Sequence, residues 1–205
     1  MQKLMTMLGF AGLWVAALPL LAETGTVGDY TYNYIDNGDG TVTLSRYDAD
    51  RNWVDEPISP SPVGEFTVPE MIDGKRIVAI GDNVFDAYDG MTSLIIPASV
   101  TNMTVDAVLY SYNLTNIMVA TENAVYKSVD GILYTKDGKT LVACPRAKGG
   151  GIVVADGTET VGAYAFYDNY YIESVTLSSG LKQIDDYAFF YCQNENFTLL
   201  ADAQS

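Results

Sequence analysis

The chain has no histidine among its 205 residues. That excludes Ser-His-Asp and Cys-His catalysis, and it excludes metal binding through imidazole. Cysteine is nearly absent as well, with Cys144 and Cys192 alone. Positive charge is scarce: 11 Lys and Arg stand against 26 Asp and Glu, a net charge of −15. Such a surface repels phosphate backbones and anionic lipid, which argues against nucleic-acid binding and suits solubility outside the cell. The Gly149-Gly150-Gly151 run lacks the Gly-Lys-Ser/Thr ending of a P-loop. Long apolar runs are missing after the first 22 residues. The one such run, Leu8 to Leu21, contains Pro19 and is short for a membrane span. With Lys3 before it and Ala22 after it, residues 1–22 read as a signal peptide cleaved near Ala22. The alternative is an uncleaved anchor. Cleavage would leave an exported chain with no membrane insertion and a net charge near −16. No cofactor and no metal site is expected.

What the chain does have is a period of twenty-three residues. Copies begin at Ile77, Val100, Thr158 and Leu181. Offsets 0, 3, 7, 8, 14, 17 and 19 give Ile77, Ile80, Val84, Phe85, Met91, Leu94 and Ile96 in the first copy. They give Val100, Met103, Ala107, Val108, Leu114, Ile117 and Val119 in the second. The third reads Thr158, Val161, Ala165, Phe166, Ile172, Val175 and Leu177, and the fourth Leu181, Ile184, Ala188, Phe189, Glu195, Thr198 and Leu200. Of these 28 positions 25 are apolar in a chain that is 48% hydrophobic, an excess that fixes the frame. A period in the twenties signals a solenoid, whose units bury their apolar faces only against neighbours. Offsets 14, 17 and 19 have the spacing LxxLxL and predict a short strand in a parallel stack. Leu94 and Ile96 then point inward, and Ser93 and Ile95 outward. The Val84-Phe85, Ala165-Phe166 and Ala188-Phe189 steps fall in the return half, where a short helical turn is expected. Glu195 and Thr198 break the pattern, so Phe197 and Leu199 are the alternative inward pair if two residues are inserted there.

The motif I-G-x-x-[AV]-F and the terminal I-x-P resemble the BspA-like family of bacterial leucine-rich repeats. The carrying residues are Ile80-Gly81-Asp82-Asn83-Val84-Phe85, Ile95-Ile96-Pro97, Val161-Gly162-Ala163-Tyr164-Ala165-Phe166 and Ile184-Asp185-Asp186-Tyr187-Ala188-Phe189. They cover residues 66 to 200. The second copy departs, with Met103-Thr104-Val105-Asp106-Ala107-Val108. The resemblance implies a leucine-rich-repeat solenoid of short parallel strands with short helical or irregular returns. It also implies a secreted, periplasmic or cell-surface protein of bacteria that acts in adhesion or protein–protein interaction.

Three regions follow. Residues 1–22 are the expected signal peptide. In residues 23–65, Tyr30 to Ile35 and Thr41 to Tyr47 alternate around the Asn37-Gly38-Asp39-Gly40 turn, which predicts a β-hairpin covering the first coil. Pro57, Pro60 and Pro62 mark a loop after it. Residues 66–205 form the solenoid, with an elaborated coil at 121–151, where two strands are expected around Lys136-Asp137-Gly138. Cys192 takes offset 11, where the family often buries a cysteine. Two free, buried thiols are expected rather than a bridge, since distant repeats stay apart.

Two surfaces are candidates for binding. One is the outward side of the strands: Ser93, Ile95, Asn116, Met118, Ser174 and Thr176, with Ile95 and Met118 as adjacent exposed apolar groups. The other is aromatic. Fifteen tyrosines are present, and Tyr110, Tyr112, Tyr164, Tyr167, Tyr170, Tyr171, Tyr187 and Tyr191 crowd the return halves. Tyr164 and Tyr187 share offset 6 and should stack. Tyrosine offers apolar area and a hydroxyl at low entropic cost, and it equally pads a thin core. A hairpin turn accounts for Asp36 to Gly40 without calcium. Asp185-Asp186 and Asp156/Glu159 are acidic pairs of the kind any acidic solenoid carries, so an enzyme is not expected. A protein partner is expected. The other readings are a non-binding structural module of a cell-envelope assembly and a glycan-binding or carbohydrate-active module.

Overall fold

A computed structural model describes residues 22–48, 50–192, 194–195 and 197–201. Except for Ala22, the expected signal peptide lies outside them. Three antiparallel strands open the chain: β1 (Ala22–Val27), β2 (Tyr30–Asp36) and β3 (Thr41–Leu44). Tyr34 pairs with Leu44 across the Asn37–Gly40 turn, the hairpin read from the alternation. β4 (Ile58–Ser59) pairs with β2, and β5 (Gly64–Thr67) begins the stacked strands. After β6 (Met71–Ile72), β7 (Lys75–Ile80) lies parallel to β3, so the hairpin joins the first coil through backbone hydrogen bonds.

Each coil then contributes two strands, one on either side of its core. β7, β9 (Asn102–Met103), β15 (Thr160–Val161) and β17 (Gln183–Ile184) start the coils. β8 (Met91–Ile96), β10 (Asn116–Val119), β16 (Ile172–Leu177) and β18 (Thr198–Ala201) are the LxxLxL strands. β5, β8 and β10 pair in parallel, placing Phe66 beside Leu94 beside Ile117. All three are buried, as one-face packing of a period-two strand requires. In the last coil Leu199, not Thr198, pairs with Val175, and Phe197 packs on the core. The pairing is thus shifted by one residue from the period, not by the two of the alternative, with Leu199 and Ala201 opposite Val175 and Leu177, and Leu199 on this last strand is 45% exposed.

The return halves are laddered too. Asn83, Phe85 and Ala87 donate backbone N–H groups to the carbonyls of Asp106, Ala107 and Tyr110, at 3.0, 3.1 and 3.3 Å. Tyr164, Phe166 and Asp168 donate to Asp186, Ala188 and Phe190, at 3.3, 2.8 and 2.8 Å. These returns are turns rather than the expected helical segments; the helix described is one 3₁₀ turn, Val105–Ala107, in the second copy. The reason lies in the backbone. Asn83 and Ala87, Tyr164 and Asp168, and Tyr187 and Tyr191 all have positive φ, between 55 and 61°. These are offsets 6 and 10 of the first, third and fourth copies. A left-handed residue ends a right-handed turn, so a pair of them folds the return tightly over the Phe between them. The second copy, which lacks the Gly and Phe, takes the 3₁₀ turn instead.

Offset 11 closes each return from inside. The Ser111 hydroxyl donates to the Phe85 carbonyl at 2.9 Å, and the Cys192 thiol reaches the Phe166 carbonyl at 2.9 Å, one coil back in each case. Tyr88 bonds both N–H and C=O of Ile58, at 2.7 and 3.0 Å. Asn169 donates to Pro145 and Lys148 and accepts from Tyr171 and Ile172. A buried polar group must be paired, and here it satisfies the carbonyls that the turn leaves over. Both cysteines are free thiols; Cys144 is buried and Cys192 half-buried.

The insertion divides the core. β11 (Tyr126–Val129), β12 (Ile132–Thr135) and β13 (Thr140–Ala143) form an antiparallel set, with the last two around the expected turn. β13 continues in parallel to β15. Leu133 joins the first apolar cluster with Leu94 and Phe85, while Ile132 and Tyr134 join the second with Phe166 and Val175. β12 is thus buried on both faces. β14 (Gly150–Val153) starts a second stack with β16 and β18.

Two substitutions test this packing. Phe166 is fully buried and stacks on Phe189, with centroids 4.8 Å apart. Phe166→Ala should cost about 3–5 kcal/mol in denaturant unfolding, the usual penalty for a large aromatic cavity. Ala87 is exposed at φ 61°. Ala87→Gly relieves left-handed strain, and after the entropy of the unfolded glycine it should add about 0.5–1 kcal/mol. A lower melting temperature for Ala87→Gly would refute the role given to that position.

Candidate interaction surfaces

The outward side of the strands is two surfaces, not one. Ser93, Ile95, Asn116 and Met118 lie on the β5–β8–β10 sheet, and Ser174 and Thr176 on the β14–β16–β18 sheet. The insertion stands between them: Ile117 donates to the carbonyl of Gly131 at 2.8 Å, so the tip of that hairpin takes the place beside β10. Ile95 and Met118 are neighbours in register, as expected, but both are half-buried. Ser93, expected outward and open, is buried at 8% exposure. It stands in register between Glu65 and Asn116 on the flanking strands. Asn116 is exposed, and Ser174 and Thr176 are half-buried.

The aromatic side is continuous. Tyr164 and Tyr187 stack with centroids 5.3 Å apart and planes 12° from parallel, as their shared offset requires. Tyr167 meets Tyr164 at 5.7 Å, Tyr191 at 6.0 Å and Phe190 at 6.2 Å. Tyr110 of the second copy reaches Tyr167 at 6.5 Å, so the ring contacts cross the insertion. Phe190 contacts Tyr187 at 5.4 Å and Tyr191 at 4.2 Å. Tyr187 is 55% exposed, and Phe190 and Tyr191 are each 44% exposed. Phe190 belongs to this group although sequence reading passed it over; its place between two offset-matched tyrosines was the available signal. Among the described residues, Tyr170 and Tyr171 join none of these ring pairs. Both are exposed, and Tyr171 leans toward Gly149.

A buried ion pair holds one edge of this face. Arg146 is paired with Asp168 through Nη2 and Oδ2, and its Nε donates to the Asp168 carbonyl at 3.1 Å. The guanidinium also sits 4.0 Å above the Tyr112 ring centroid. These contacts secure Asp168 in its left-handed conformation. The Asp168 carboxylate raises the pKa of the Tyr170 hydroxyl, chiefly through a hydrogen bond, and burial adds to it. Burial, then the neighbouring Tyr110, raises that of Tyr167.

Among the described residues there is no group of three or more Cys, Asp and Glu placed to hold a metal, and no helix is long and apolar enough to cross a membrane.

The family model for the BspA type leucine rich repeat region matches residues 67–129 and 150–205 in six copies, more than half of the chain. The protein belongs to this family of leucine-rich-repeat proteins. Among solved structures, a leucine-rich repeat protein from Eubacterium ventriosum superposes with a TM-score of 0.54 at 24% identity, over 67% of this chain and 38% of that one. The chain thus spans well under half the length of that relative. The pneumococcal vaccine antigen PcpA gives 0.43 at 14% identity over 90% of this chain and 71% of its own. A leucine-rich cell surface protein from Faecalibacterium prausnitzii gives 0.39 at 13%, over 79% and 72%. No curated protein matches the sequence.

The return face also carries an electrostatic cost. Asp106 is half-buried, and its carboxyl pKa is raised by burial and then by Asp82. A raised folded pKa means ionisation is harder in the folded state than in the unfolded chain. The resulting penalty is absent below the unfolded pKa and complete above the folded one. Asp106→Asn should therefore raise the melting temperature at pH 7 and leave it unchanged at pH 3. An equal gain at both pH values would refute the electrostatic origin.

Proposed function

We propose that this is an exported repeat protein of the bacterial surface that binds a protein partner, and that the contact is made by the aromatic return face. The observation that supports it most is the run of touching, partly exposed rings from Tyr110 through Tyr167 to Tyr187, Phe190 and Tyr191. Monomeric surfaces seldom leave so many aromatics in contact and open to water, and tyrosine is favoured where proteins meet. The strand sides fit the role less well, since the insertion divides them and their apolar members are half-buried. Family membership is in keeping with binding rather than turnover, and the N-terminal hairpin serves as the cover of the first coil.

Capture from cell-surface and extracellular-matrix extracts tests this, with residues 23–205 as bait. A Tyr187→Asn/Tyr191→Asn variant runs beside it, because asparagine tolerates both left-handed positions. An Ile95→Asp/Met118→Asp variant probes the strand side. A protein retained by the wild type and the strand variant, and reduced at least about tenfold by the tyrosine variant, is expected. Loss in the strand variant alone would move the site to the sheet. No captured protein would favour a purely structural module of the envelope.

A further inference from the structure

The charge around the rings narrows the class of partner. Residues 81–89, 104–112, 162–170 and 185–193 are the four return segments, and they contain seven aspartates and no lysine or arginine. The aspartates are Asp82, Asp86, Asp89, Asp106, Asp168, Asp185 and Asp186. Two arginines approach these turns from elsewhere, and both are engaged. Arg46 is buried, donates to the Asp86 carbonyl at 3.0 Å and lies 4.3 Å over Trp53. Arg146 is buried against Asp168 and Tyr112. Neither offers a free cation to the solvent side. Lysines near the coils are engaged as well: Lys75 pairs with Glu23 and Asp36, Lys139 and Lys182 both pair with Glu159 at the coil starts, Lys148 pairs with Asp130, and Lys136 donates to the Thr121 carbonyl.

We infer that the return face takes a cationic, arginine- or lysine-rich segment of a partner protein, held jointly by its tyrosine and phenylalanine rings and its unneutralised aspartates. This rests on the interaction reading of the same face. Two physical terms converge on a cation. An aromatic ring attracts positive charge through its quadrupole, best where the ring is partly shielded from water. Exposed carboxylates without a cationic partner supply the charge complement, and Asp186 stands next to Tyr187 in just that state of exposure. The protein already shows the pairing in miniature, because Arg146 contacts a ring and an aspartate of this face together. A neutral glycan stacks on the rings and donates its hydroxyls to the aspartates, but it leaves their charge uncompensated. An acidic partner is repelled.

Binding of a fluorescent arginine-glycine dodecapeptide, measured by anisotropy, tests this. A glutamine-glycine dodecapeptide and a neutral hexasaccharide serve as comparison ligands. The cationic peptide should bind, weaken at least about tenfold as salt rises from about 50 to about 500 mM, and leave both comparison ligands unbound. Tyr187→Asn/Tyr191→Asn retains every aspartate, so general attraction between an acidic protein and a cation is unchanged in it. That variant should still weaken the peptide about tenfold at fixed salt, within the range of cation–π and aromatic contacts. Asp186→Asn should weaken it as well and flatten the salt dependence. Thermal melts check that each variant is folded. Equal binding by the wild type and the tyrosine variant, or a preference for the hexasaccharide, would overturn the inference. If a protein partner is captured through the tyrosines yet the cationic peptide fails to bind, the partner chemistry is wrong and the interaction reading stands. If neither binds, both fall.

Discussion

A single coil of this protein is too thin to bury a core, and everything else in the structure follows from that constraint. Each turn of chain supplies one layer of side chains, and the layer becomes dry only when another lies on it. The period of twenty-three residues is the length that brings the same side chain back over itself. Leu94 over Ile117 and Phe166 over Phe189 are successive steps of one such column each. The same stacking hands every coil's backbone to its neighbours, on the strand side and again on the return side. A polar atom between coils must therefore find its partner there. Ser111 and Cys192 show how narrow the requirement is, since two different side chains at offset 11 reach the same carbonyl position one coil back.

The insertion keeps to this logic while changing its geometry. A strand buried on both faces is expensive in an exposed solenoid and natural between two cores. β12 sends Leu133 to one side and Ile132 and Tyr134 to the other, so the elaborated coil acts as a shared wall. It interrupts the parallel strands, because its tip occupies the position beside β10. It does not interrupt the aromatic contacts, because Tyr110 still reaches Tyr167. One event in the sequence thus divides one surface and spares the other.

Much of this was legible from residues alone. The columns were readable because burial imposes apolar identity at fixed offsets, and the hairpin because alternation and a Gly-rich turn are local signals. The stacking of Tyr164 on Tyr187 needed only a shared offset. The left-handed pairs at offsets 6 and 10 were hidden, since their occupants (Asn, Ala, Tyr, Asp) include residues that sterics would not nominate for positive φ. The ladder between returns imposes that backbone from outside, and such tertiary imposition leaves little local trace. The burial of Ser93 is hidden for a related reason: alternation gives the direction of a side chain and says nothing of what the flanking strands place around it. The last coil's register was ambiguous because Glu195 and Thr198 break the apolar pattern, and only strand pairing decided for Leu199.

The strained returns and the exposed rings are connected. A left-handed residue at offsets 6 and 10 turns its side chain away from the core that the intervening Phe fills. Where Asn83 and Ala87 occupy those places the projecting group is small. Where Tyr164, Tyr187 and Tyr191 occupy them, the same backbone holds large rings at the surface. Backbone strain of order 1 kcal/mol per residue is then tied to display of a side chain that contributes little to its own coil. Asparagine or glycine would fold these turns with less strain, and the first copy demonstrates that a non-aromatic residue suffices. The aromatic character of the later returns is therefore not required by the fold. It is a property of the surface, set on a scaffold whose two ladders fix each ring against the next, and Arg146 anchors its edge through Asp168 without adding a free positive charge.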